Sequence, residues 1–436
     1  MPKFKLITYG CQANDLDSER ITGLLIREGF TRTEQEEEAD LILLNTCAIR
    51  EKAEHKVYSR LGSFQAMKRQ RVGLKIGVCG CVAQQEGQAL LNRFPYLDFV
   101  VGPGQLTAIP PLLAGATRTV ATARAPSYSY PVNAPVQRRS GIRAWVSIME
   151  GCDRFCTFCV VPFTRGRERS RPAQDIIEEI RALKRQGYRE VTLLGQTVNS
   201  YGRKLTPPIS FVELLRQIDR LVGDYMRVRF TSPHPSDVTD ELAAAIAELP
   251  SLCEQIHLPV QSGSDQVLRR MKRGYDRDEY LEKIALLRAR APEIAITTDI
   301  IVGFPGETEE DFRATLDLME EVGFDGAFIF KYSPRPHTEA EQMPDQLPEE
   351  VQGRWLEQAL ALLNRLSLER NGSYIGRTVE VLVNHEEAKG DSGRHAGRTR
   401  QNKIVHFTGE GVADGSLVSV VITGATPLYL QGELTC

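Results

Sequence analysis

The sequence has no apolar run that is long enough to cross a membrane. A spanning helix needs about 18 or more consecutive apolar residues, whereas "LILLNTC" at residues 41–47 has only the length of a strand. The chain starts with "MPKFKLITYG", which contains no apolar secretory signal. We therefore expect a cytoplasmic protein without membrane contact, in which cysteine thiols stay reduced.

The sequence also lacks a large excess of charge of either sign. It has 54 Lys and Arg residues against 57 Asp and Glu residues, which gives a net charge of −3. Whole-chain charge therefore does not indicate a nucleic-acid partner, and evidence for one must come from local clusters. At 436 residues the chain is long enough for two or three domains, each with its own core.

The short stretch "GCDRFCTFC", residues 151–159, has three cysteines but lacks a fourth. Cys152, Cys156 and Cys159 follow the spacing CxxxCxxC. A structural zinc site uses four protein ligands, and a reducing compartment disfavours disulfides. Three thiolates with one open position suit a cubic 4Fe-4S cluster, in which the fourth iron is free to bind a small ligand.

A second group of cysteines is spread over the first hundred residues. Apolar strand-length runs alternate there with amphipathic helical patterns, which predicts a doubly wound parallel sheet covered by helices. Cys11, Cys47 and Cys81 each stand just past the carboxyl end of a predicted strand. Because such ends meet at one edge of a parallel sheet, the three thiolates are expected to converge on one cluster. The alternative is three buried structural cysteines.

The remaining three cysteines are predicted to have no ligand role. Cys79 lies within the strand that precedes Cys81, and Cys253 and Cys436 have no cysteine neighbour.

The chain divides into four predicted segments. Residues 1–102 form the α/β sheet domain, and residues 103–141, with six prolines, read as a surface linker. Residues 142–371 contain six strand–helix repeats, which predicts a partial (β/α)6 barrel followed by a connecting helix. Residues 372–436 are rich in short strand patterns and predict a small five-stranded all-β barrel.

Polar residues follow the predicted strands of the partial barrel, at the end where barrel active sites lie. They are the cysteine loop, Gln196 and Asn199, Ser232 and His234, Gln261 and Ser262, and the glycine-containing loop "GFPGET" at residues 303–308.

These motifs together resemble a known enzyme family. "GCDRFCTFC" is the signature of radical S-adenosylmethionine (SAM) enzymes, and "YGCQAN", "NTCAIREKAEHKVYSRLG" and "GCVAQ" are similar to motifs of the methylthiotransferases, specifically the MiaB type that modifies tRNA. The resemblance covers nearly the whole chain, and residues 372–436 look like a TRAM domain, a small RNA-binding module. One residue departs from the family pattern: "LLGQTVNSYG" has Thr197 where the family usually has Asn.

The resemblance implies two 4Fe-4S clusters and SAM as cofactors. Cys152, Cys156 and Cys159 would hold the cluster whose open iron binds SAM, and Cys11, Cys47 and Cys81 an auxiliary cluster at which the inserted sulfur is bound and methylated. Electron transfer from the first cluster would cleave SAM and give a radical that activates an aromatic C–H bond. Residues suggested as SAM neighbours are Phe158, Gln196, Gln261, Ser262, Gly303 and Gly306. For Phe158 a packing role is equally open, and for Gln261 and Ser262 a loop-fixing one.

Two basic clusters are the candidate RNA contacts. One is "TRGRERSR", residues 164–171, and the other is "KGDSGRHAGRTRQNK", residues 389–403. Such runs are often only a solvated face, but their positions beside the cysteine loop and on the small barrel favour contact with phosphates. The candidate residues are Arg165, Arg167, Arg169 and Arg171 in the first cluster, and Arg398, Arg400 and Lys403 in the second.

The resemblance implies methylthiolation of N6-isopentenyladenosine at position 37, in the anticodon stem-loop of tRNA. The alternatives are methylthiolation of threonylcarbamoyladenosine or of a ribosomal-protein aspartate, and, in another class, a non-catalytic Fe-S protein that binds RNA or senses redox state. An electron donor such as flavodoxin or ferredoxin is expected, and the protein is expected to be a monomer.

Overall fold

The computed structural model describes residues 1–48, 51–115, 118–124, 127–128, 130–131, 134–387 and 394–435, with side chains left undescribed at 51–55. These residues form three units in chain order: a helix-covered parallel sheet, a partial barrel and a closed β barrel. The expected α/β architecture with a small C-terminal barrel is confirmed. No helix in the described part of the chain is both long and apolar enough to span a membrane.

The N-terminal unit is a six-stranded parallel sheet with the order β2-β1-β3-β4-β5-β6. Its strands are β1 (Lys3–Thr8), β2 (Thr31–Arg32), β3 (Leu41–Thr46), β4 (Lys75–Gly80), β5 (Phe99–Val101) and β6 (Thr119–Ala121). Its helices are α1 (Gln12–Arg27), α2 (Glu51–Gln70), α3 (Cys81–Glu86), α4 (Gln88–Arg93) and α5 (Ile109–Ala114).

Helices cover both faces of this sheet because β3 is apolar at every position of its first four residues. Ile42 and Leu44 pack with Leu61 of α2 on one face, whereas Leu41 and Leu43 pack with α1 on the other. Side chains alternate between the two faces of a strand, so a continuous apolar run is buried on both sides.

The segment predicted as a linker, residues 103–141, differs from that expectation. It contributes α5 and the edge strand β6, which pairs in parallel with β5. Arg138 near its end pairs with Glu19 of α1 at 3.0 Å and with Glu179 of the central unit. The segment joins the sheet although its sequence shows no clear hydrophobic periodicity. A three-residue strand and a six-residue helix are too short to produce a recognisable periodic pattern.

The central unit contains six parallel strands in two groups, β11-β10-β7 and β12-β13-β14, which a backbone bridge between Val228 and Leu252 connects. The six strands are β7 (Arg143–Ser147), β10 (Glu190–Leu194), β11 (Arg227–Phe230), β12 (Gln255–His257), β13 (Ala295–Val302) and β14 (Gly326–Lys331). Two further short strands, β8 (Met149–Glu150) and β9 (Arg169–Ser170), form a separate antiparallel pair. The helices of the central unit are α6 (Val161–Thr164), α7 (Ala173–Arg185), α8 (Phe211–Val222), α9 (Asp240–Glu248), α10 (Asp265–Arg270), α11 (Arg277–Arg290), α12 (Glu309–Val322) and α13 (Glu349–Gly372).

The main core of the molecule lies between the outer faces of these strands and the surrounding helices. The inner faces line an open lumen, because six strands do not close a barrel that needs eight. β7 and β14 are the outermost strands of this arrangement, so the lumen opens between them.

The C-terminal unit is a closed barrel with the strand order β15-β16-β17-β19-β18. Its strands are β15 (Thr378–Val383), β16 (His395–Arg398), β17 (Ile404–Thr408), β18 (Leu417–Ala425) and β19 (Leu430–Leu434). The turn between β16 and β17, residues 399–403, docks against the amino-terminal end of the central strands. There Arg229 donates hydrogen bonds to the carbonyl oxygens of Thr399 (2.8 Å) and Arg400 (2.7 Å).

Candidate active site

Three of the four cysteines of the N-terminal unit come together at the carboxyl edge of its sheet. Cys11 precedes α1, Cys47 directly follows β3, and Cys81 is the first residue of α3. We call these three residues the N-terminal triad. A hydrogen bond with the Cys47 thiol and the positive charge of Arg165 lower the pKa of the Cys11 thiol to about 6, although burial opposes this. Burial raises the pKa of the Cys81 thiol, and Arg165 again opposes the shift.

Cys79 does not belong to this group. It lies within β4, is fully buried, and its thiol donates to the Leu44 carbonyl oxygen at 3.4 Å. Burial raises the pKa of this thiol strongly, so it stays protonated and packs as a small apolar side chain. Cys253 is likewise buried, and Cys436 lies outside the described residues.

The cysteine loop, residues 151–159, follows the first barrel strand and is held by its neighbours' backbone. Gly151 has a φ of +74°, and a Cβ there would meet the Arg167 carbonyl oxygen at 2.2 Å, so only glycine fits. The Cys152 N–H donates to the Gly166 oxygen at 3.1 Å. The Thr157 N–H donates to the Met271 oxygen, also at 3.1 Å.

Hydrogen-bond donors surround the sulfur atoms of Cys152, Cys156 and Cys159, which we call the radical triad. The Arg154 N–H donates to Cys152 Sγ at 3.4 Å, and Thr197 Oγ1 lies 3.5 Å from the same sulfur. The Arg273 guanidinium donates to Cys156 Sγ at 3.3 Å. Burial raises the pKa of the Cys159 thiol to about 12, so a bound cation is needed to hold it as a thiolate.

The donor set fits an iron–sulfur cluster better than a single ion. Among the described residues, no group of three His, Cys, Asp or Glu side chains is close enough to hold one metal ion. In a cubic cluster each thiolate binds a different iron, so its sulfur atoms stand farther apart. Donors aimed at sulfur, as from Arg154 and Arg273, are the contacts that stabilise such ligands.

The two triads are close neighbours. Cys81 packs against Val160, the residue that follows Cys159. Arg165, just beyond α6, interacts electrostatically with Cys11 and Cys81 and forms an ion pair with Asp17 at 2.7 Å.

A central cavity of about 460 Å³ joins the N-terminal triad to the lumen of the barrel. Cys11, Cys47 and Cys81 are part of its lining. The same cavity is also lined by three residues near the cysteine loop. Met149 and Glu150 directly precede the loop, and Gln196 follows the next barrel strand, β10. The same cavity therefore borders both the N-terminal triad and the surroundings of the radical triad.

The residues suggested as SAM neighbours have varied placements. Gln196 lines the cavity. Gln261 is buried with a φ of +78°, and its backbone bridges to β13. The Ser262 hydroxyl is buried, lies 3.3 Å from Thr315 Oγ1 and accepts a hydrogen bond from the Ser264 N–H at 3.2 Å. These contacts favour the alternative in which Ser262 fixes the loop. Phe158 packs against the small apolar cluster around Met271 and Phe304.

Gly303 and Gly306 both have positive φ, but protein side chains occupy the space beside them. A Cβ at Gly303 would lie 2.4 Å from Cγ of Gln352, and one at Gly306 would lie 2.5 Å from the Arg270 guanidinium. The close approach seen at these glycines is that of α13 and α10 side chains, and their contact with a nucleoside stays a prediction.

Arg273 is a functional candidate that the sequence interpretation missed, and His234, which that interpretation placed only among the polar residues after the strands, gains a specific role beside it. Burial and the Arg273 charge lower the pKa of His234 to about 2, so its ring is neutral. Its Nδ1 accepts the Ser236 N–H at 3.3 Å, which leaves the proton on Nε2. That buried Nε2–H has no hydrogen-bond partner among the described residues. Only spatial neighbours reveal this, because Arg273 and His234 lie in different loops.

The structure corrects most of the expected phosphate contacts in the first basic cluster. The side chains of Arg165, Arg169 and Arg171 are only 4–13% exposed and form ion pairs with Asp17, Glu150 and Glu179, respectively. A guanidinium paired inside the protein has its charge already neutralised. Arg167 differs, since it is 66% exposed and lies 4.9 Å above the ring of Phe155.

The second basic cluster is also engaged internally. Arg398 pairs with Glu387 at 3.0 Å, Arg400 with Glu254 at 2.8 Å, and Lys403 with Asp325 at 2.7 Å. The last two contacts reach across to the central unit, so these side chains dock the barrel instead of facing solvent. Lys389, from the same run, lies outside the described residues.

Comparison with known proteins finds matches in three parts of the chain. Three family models match it: Uncharacterized protein family UPF0004 over residues 3–102, Radical SAM superfamily over residues 146–319, and TRAM domain over residues 372–435. A partial parallel barrel with a CxxxCxxC loop after its first strand defines the central unit as a radical SAM domain.

Full-length relatives narrow this class to one family. The chain is 47% identical to a tRNA-2-methylthio-N(6)-dimethylallyladenosine synthase of Carboxydothermus hydrogenoformans, with 99% of both chains covered. It is 44% identical to the synthase of the same name from Clostridium perfringens, with 99% of this chain and 97% of that one covered. The chain belongs to the family of tRNA-2-methylthio-N(6)-dimethylallyladenosine synthases.

A solved structure agrees with the fold. The radical SAM methyltransferase TsrM from Kitasatospora setae superimposes with a TM-score of 0.58 at 18% identity, and the match covers 78% of this chain and 75% of that one.

Proposed function

We propose that the protein is a tRNA methylthiotransferase. It adds a methylthio group at C2 of N6-isopentenyladenosine at position 37, next to the anticodon, and forms 2-methylthio-N6-isopentenyladenosine. The observation that carries this proposal is the shared cavity, which the N-terminal triad and residues beside the cysteine loop line together. Two three-thiol sites around one substrate space suit a reaction that needs both a radical and a sulfur donor.

The cysteines hold the cofactors in this proposal. Cys152, Cys156 and Cys159 would bind the 4Fe-4S cluster that chelates SAM, and Cys11, Cys47 and Cys81 the auxiliary 4Fe-4S cluster. Bound together, the clusters and SAM supply radical cleavage of an unreactive C–H bond and a sulfur atom for insertion.

Other residues of the chain support these sites. Arg273 and the Arg154 N–H stabilise the thiolates of the radical triad. His234 offers a buried, uncharged N–H donor to a bound ligand. Arg165, held by Asp17, places a positive charge between the N-terminal triad and the cysteine loop.

The tRNA would bind along an outer patch beside the cysteine loop. This patch consists of four cationic residues whose side chains are 51–66% exposed, with the partly exposed ring of Phe155: Arg167, Arg203, Lys204 and Lys272. The carboxylate partners of these cations neutralise them only in part. Asp153 is shared between Arg167 and Lys204, and Glu339, the partner of Lys272, is itself exposed. Exposed cations next to an exposed ring suit phosphates and a stacked base of a loop.

Further partners belong to the same proposal. A one-electron donor of the flavodoxin or ferredoxin type would reduce the cluster of the radical triad. The protein would act as a monomer in the cytoplasm, since one chain supplies both triads and the walls of the cavity.

Nucleoside mass spectrometry of tRNA tests the function. A strain without the protein should lose 2-methylthio-N6-isopentenyladenosine and accumulate N6-isopentenyladenosine, and the wild-type chain should reverse both changes. Loss of a methylthiolated threonylcarbamoyladenosine instead would refute the proposed substrate. Failure of the reduced, reconstituted protein to cleave SAM would refute any radical SAM activity and favour a non-catalytic protein.

A further inference from the structure

Two phenylalanines in the central cavity are unusually exposed. The side chains of Phe328 and Phe330 in β14 are 56% and 41% exposed, and both line the cavity. Between them Ile329 is buried and packs into the main core on the other side of the strand. The alternation of a strand therefore directs two phenyl rings into the lumen, at the strand that borders its lateral opening.

Other apolar side chains extend this wall. Trp145 of β7, on the opposite side of the lateral opening, lines the same cavity, as does Leu194 at the end of β10. The His257 ring contacts the edge or face of Phe328 with the ring centroids 6.0 Å apart. An apolar surface of this kind, inside a cavity, is favourable for a ligand that buries it.

The cations that line the cavity are already engaged. Each arginine of the lining has a carboxylate partner within 4.0 Å: Arg20 with Asp17 and Glu150, Arg143 with Glu387, Arg165 with Asp17, Arg229 with Glu190, and Arg398 with Glu387. His257 lies 3.3 Å from Asp299, which is itself part of the lining. A substituent that carries a carboxylate would meet no uncommitted cation among these residues and would approach Asp299.

We propose that Phe328 and Phe330 determine substrate specificity by receiving the apolar N6 substituent of the target adenosine. The chemical class that fits is a short branched hydrocarbon on a purine, because the wall offers dispersion contacts and every arginine of the lining is already paired with a carboxylate. This inference rests on the proposed function, since it identifies the part of the same cavity that distinguishes an isopentenyl group from a threonylcarbamoyl group.

The test compares three anticodon stem-loops that differ only at position 37: adenosine, N6-isopentenyladenosine and threonylcarbamoyladenosine. Binding to the full-length protein with both clusters reconstituted is followed by fluorescence anisotropy. A hydrophobic pocket discriminates by about tenfold or more when an apolar group of this size is added. The wild-type protein should bind the isopentenylated loop at least about tenfold more tightly than the unmodified one.

In a Phe328→Ala/Phe330→Ala variant this ratio should fall to nearly one, while affinity for the unmodified loop should stay the same. Leu428→Ala is the matched control, because Leu428 is 79% exposed on the C-terminal barrel outside the cavity. It should keep the full ratio. An unchanged ratio in the double variant would overturn the inference without touching the proposed function.

A second variant keeps the test decisive if the double variant folds poorly. Phe330→Arg places an uncommitted cation in the cavity at a half-exposed position. It should weaken binding of the isopentenylated loop and strengthen binding of the threonylcarbamoylated loop, which reverses the preference. If Phe330→Arg leaves the wild-type preference intact, the inference fails. If the wild-type protein itself shows no preference and no methylthiolation, the proposed function fails first.

Discussion

The Arg273 guanidinium donates a hydrogen bond to the sulfur of Cys156 over 3.3 Å, deep in the protein. Its other contacts are the Tyr275 hydroxyl (2.9 Å) and the Pro259 carbonyl oxygen (2.8 Å). None of these partners is a carboxylate. The positive charge of Arg273 is therefore directed at the radical triad.

Arg273→Gln should make the cluster held by this triad harder to reduce, because a nearby positive charge favours the state with one more electron. Arg273→Lys should shift the potential less. Potentiometric titration followed by electron paramagnetic resonance measures the effect. Arg290→Gln is the control and should behave as wild type, because Arg290 of α11 forms only an exposed ion pair with Asp240 of α9. A potential unaltered in folded Arg273→Gln would contradict the proposed role.

Iron content distinguishes ligands from bystanders. Anaerobically reconstituted protein should bind about eight irons, and a variant with all three radical-triad cysteines replaced by alanine about four. Cys79→Ala removes a buried thiol within two residues of Cys81 but should retain about eight irons. An iron count that does not fall in the triple variant would refute the assignment.

The two triads should separate in a paired product assay. Cys47→Ala removes one auxiliary ligand and leaves the SAM-binding site complete, so the variant should still form 5′-deoxyadenosine but no methylthiolated nucleoside. Cys156→Ala should form neither product. If Cys47 were only a packed structural cysteine, its loss would cost about 1–2 kcal/mol of stability and the folded fraction would still methylthiolate. Sustained methylthiolation by Cys47→Ala would therefore exclude the two-site mechanism.

The outer patch predicts a change in salt dependence. Arg167→Ala should weaken binding of the anticodon stem-loop at low salt and reduce the slope of log affinity against log salt by about one. Arg216→Ala is the control, since Arg216 is also exposed and paired, but with Glu241 on the outer helices. Equal slopes for both variants and wild type would show that Arg167 contacts no phosphate.

Glu307, in the "GFPGET" loop, predicts a pH dependence of stability. Burial raises its pKa from 4.5 to about 7, so the folded state favours the protonated form. The cost of ionising it begins as pH rises above 4.5 and is complete above 7, at about 3 kcal/mol. Glu307→Gln should therefore gain stability relative to wild type between pH 5 and 8. The measurement is the melting temperature at each pH, with exposed Glu310→Gln as the control; parallel curves would contradict the prediction.

The sequence was informative wherever function depends on position along a strand. Cys11, Cys47 and Cys81 are far apart in sequence, yet parallel strands end at one edge, so their convergence followed from the pattern alone. For the cysteine loop, the CxxxCxxC spacing was enough to predict a three-thiolate site.

Whether a charged side chain is buried and paired could not be predicted from the sequence in the same way. Arg165 and Arg171 stand in a run that looks like a solvated basic face, but their partners Asp17 and Glu179 lie on other elements. Gly303 is a similar case, because its sequence alone suggested room for a ligand and did not reveal that Gln352 of α13 lies beside it. Side chains from distant elements decide such cases, and local sequence does not contain them.

The docked turn at residues 399–403 affects how the protein unfolds. Arg227 and Arg229 are nearly buried and donate to carbonyl oxygens of Arg398, Thr399 and Arg400. Removal of the C-terminal barrel would take these acceptors away, and among the described residues only Arg229 would keep a partner in the central unit, Glu190. Unpaired buried donors are costly. We therefore expect the central unit and the C-terminal barrel to unfold together in a single transition, and the barrel to resist exchange with that of another protein.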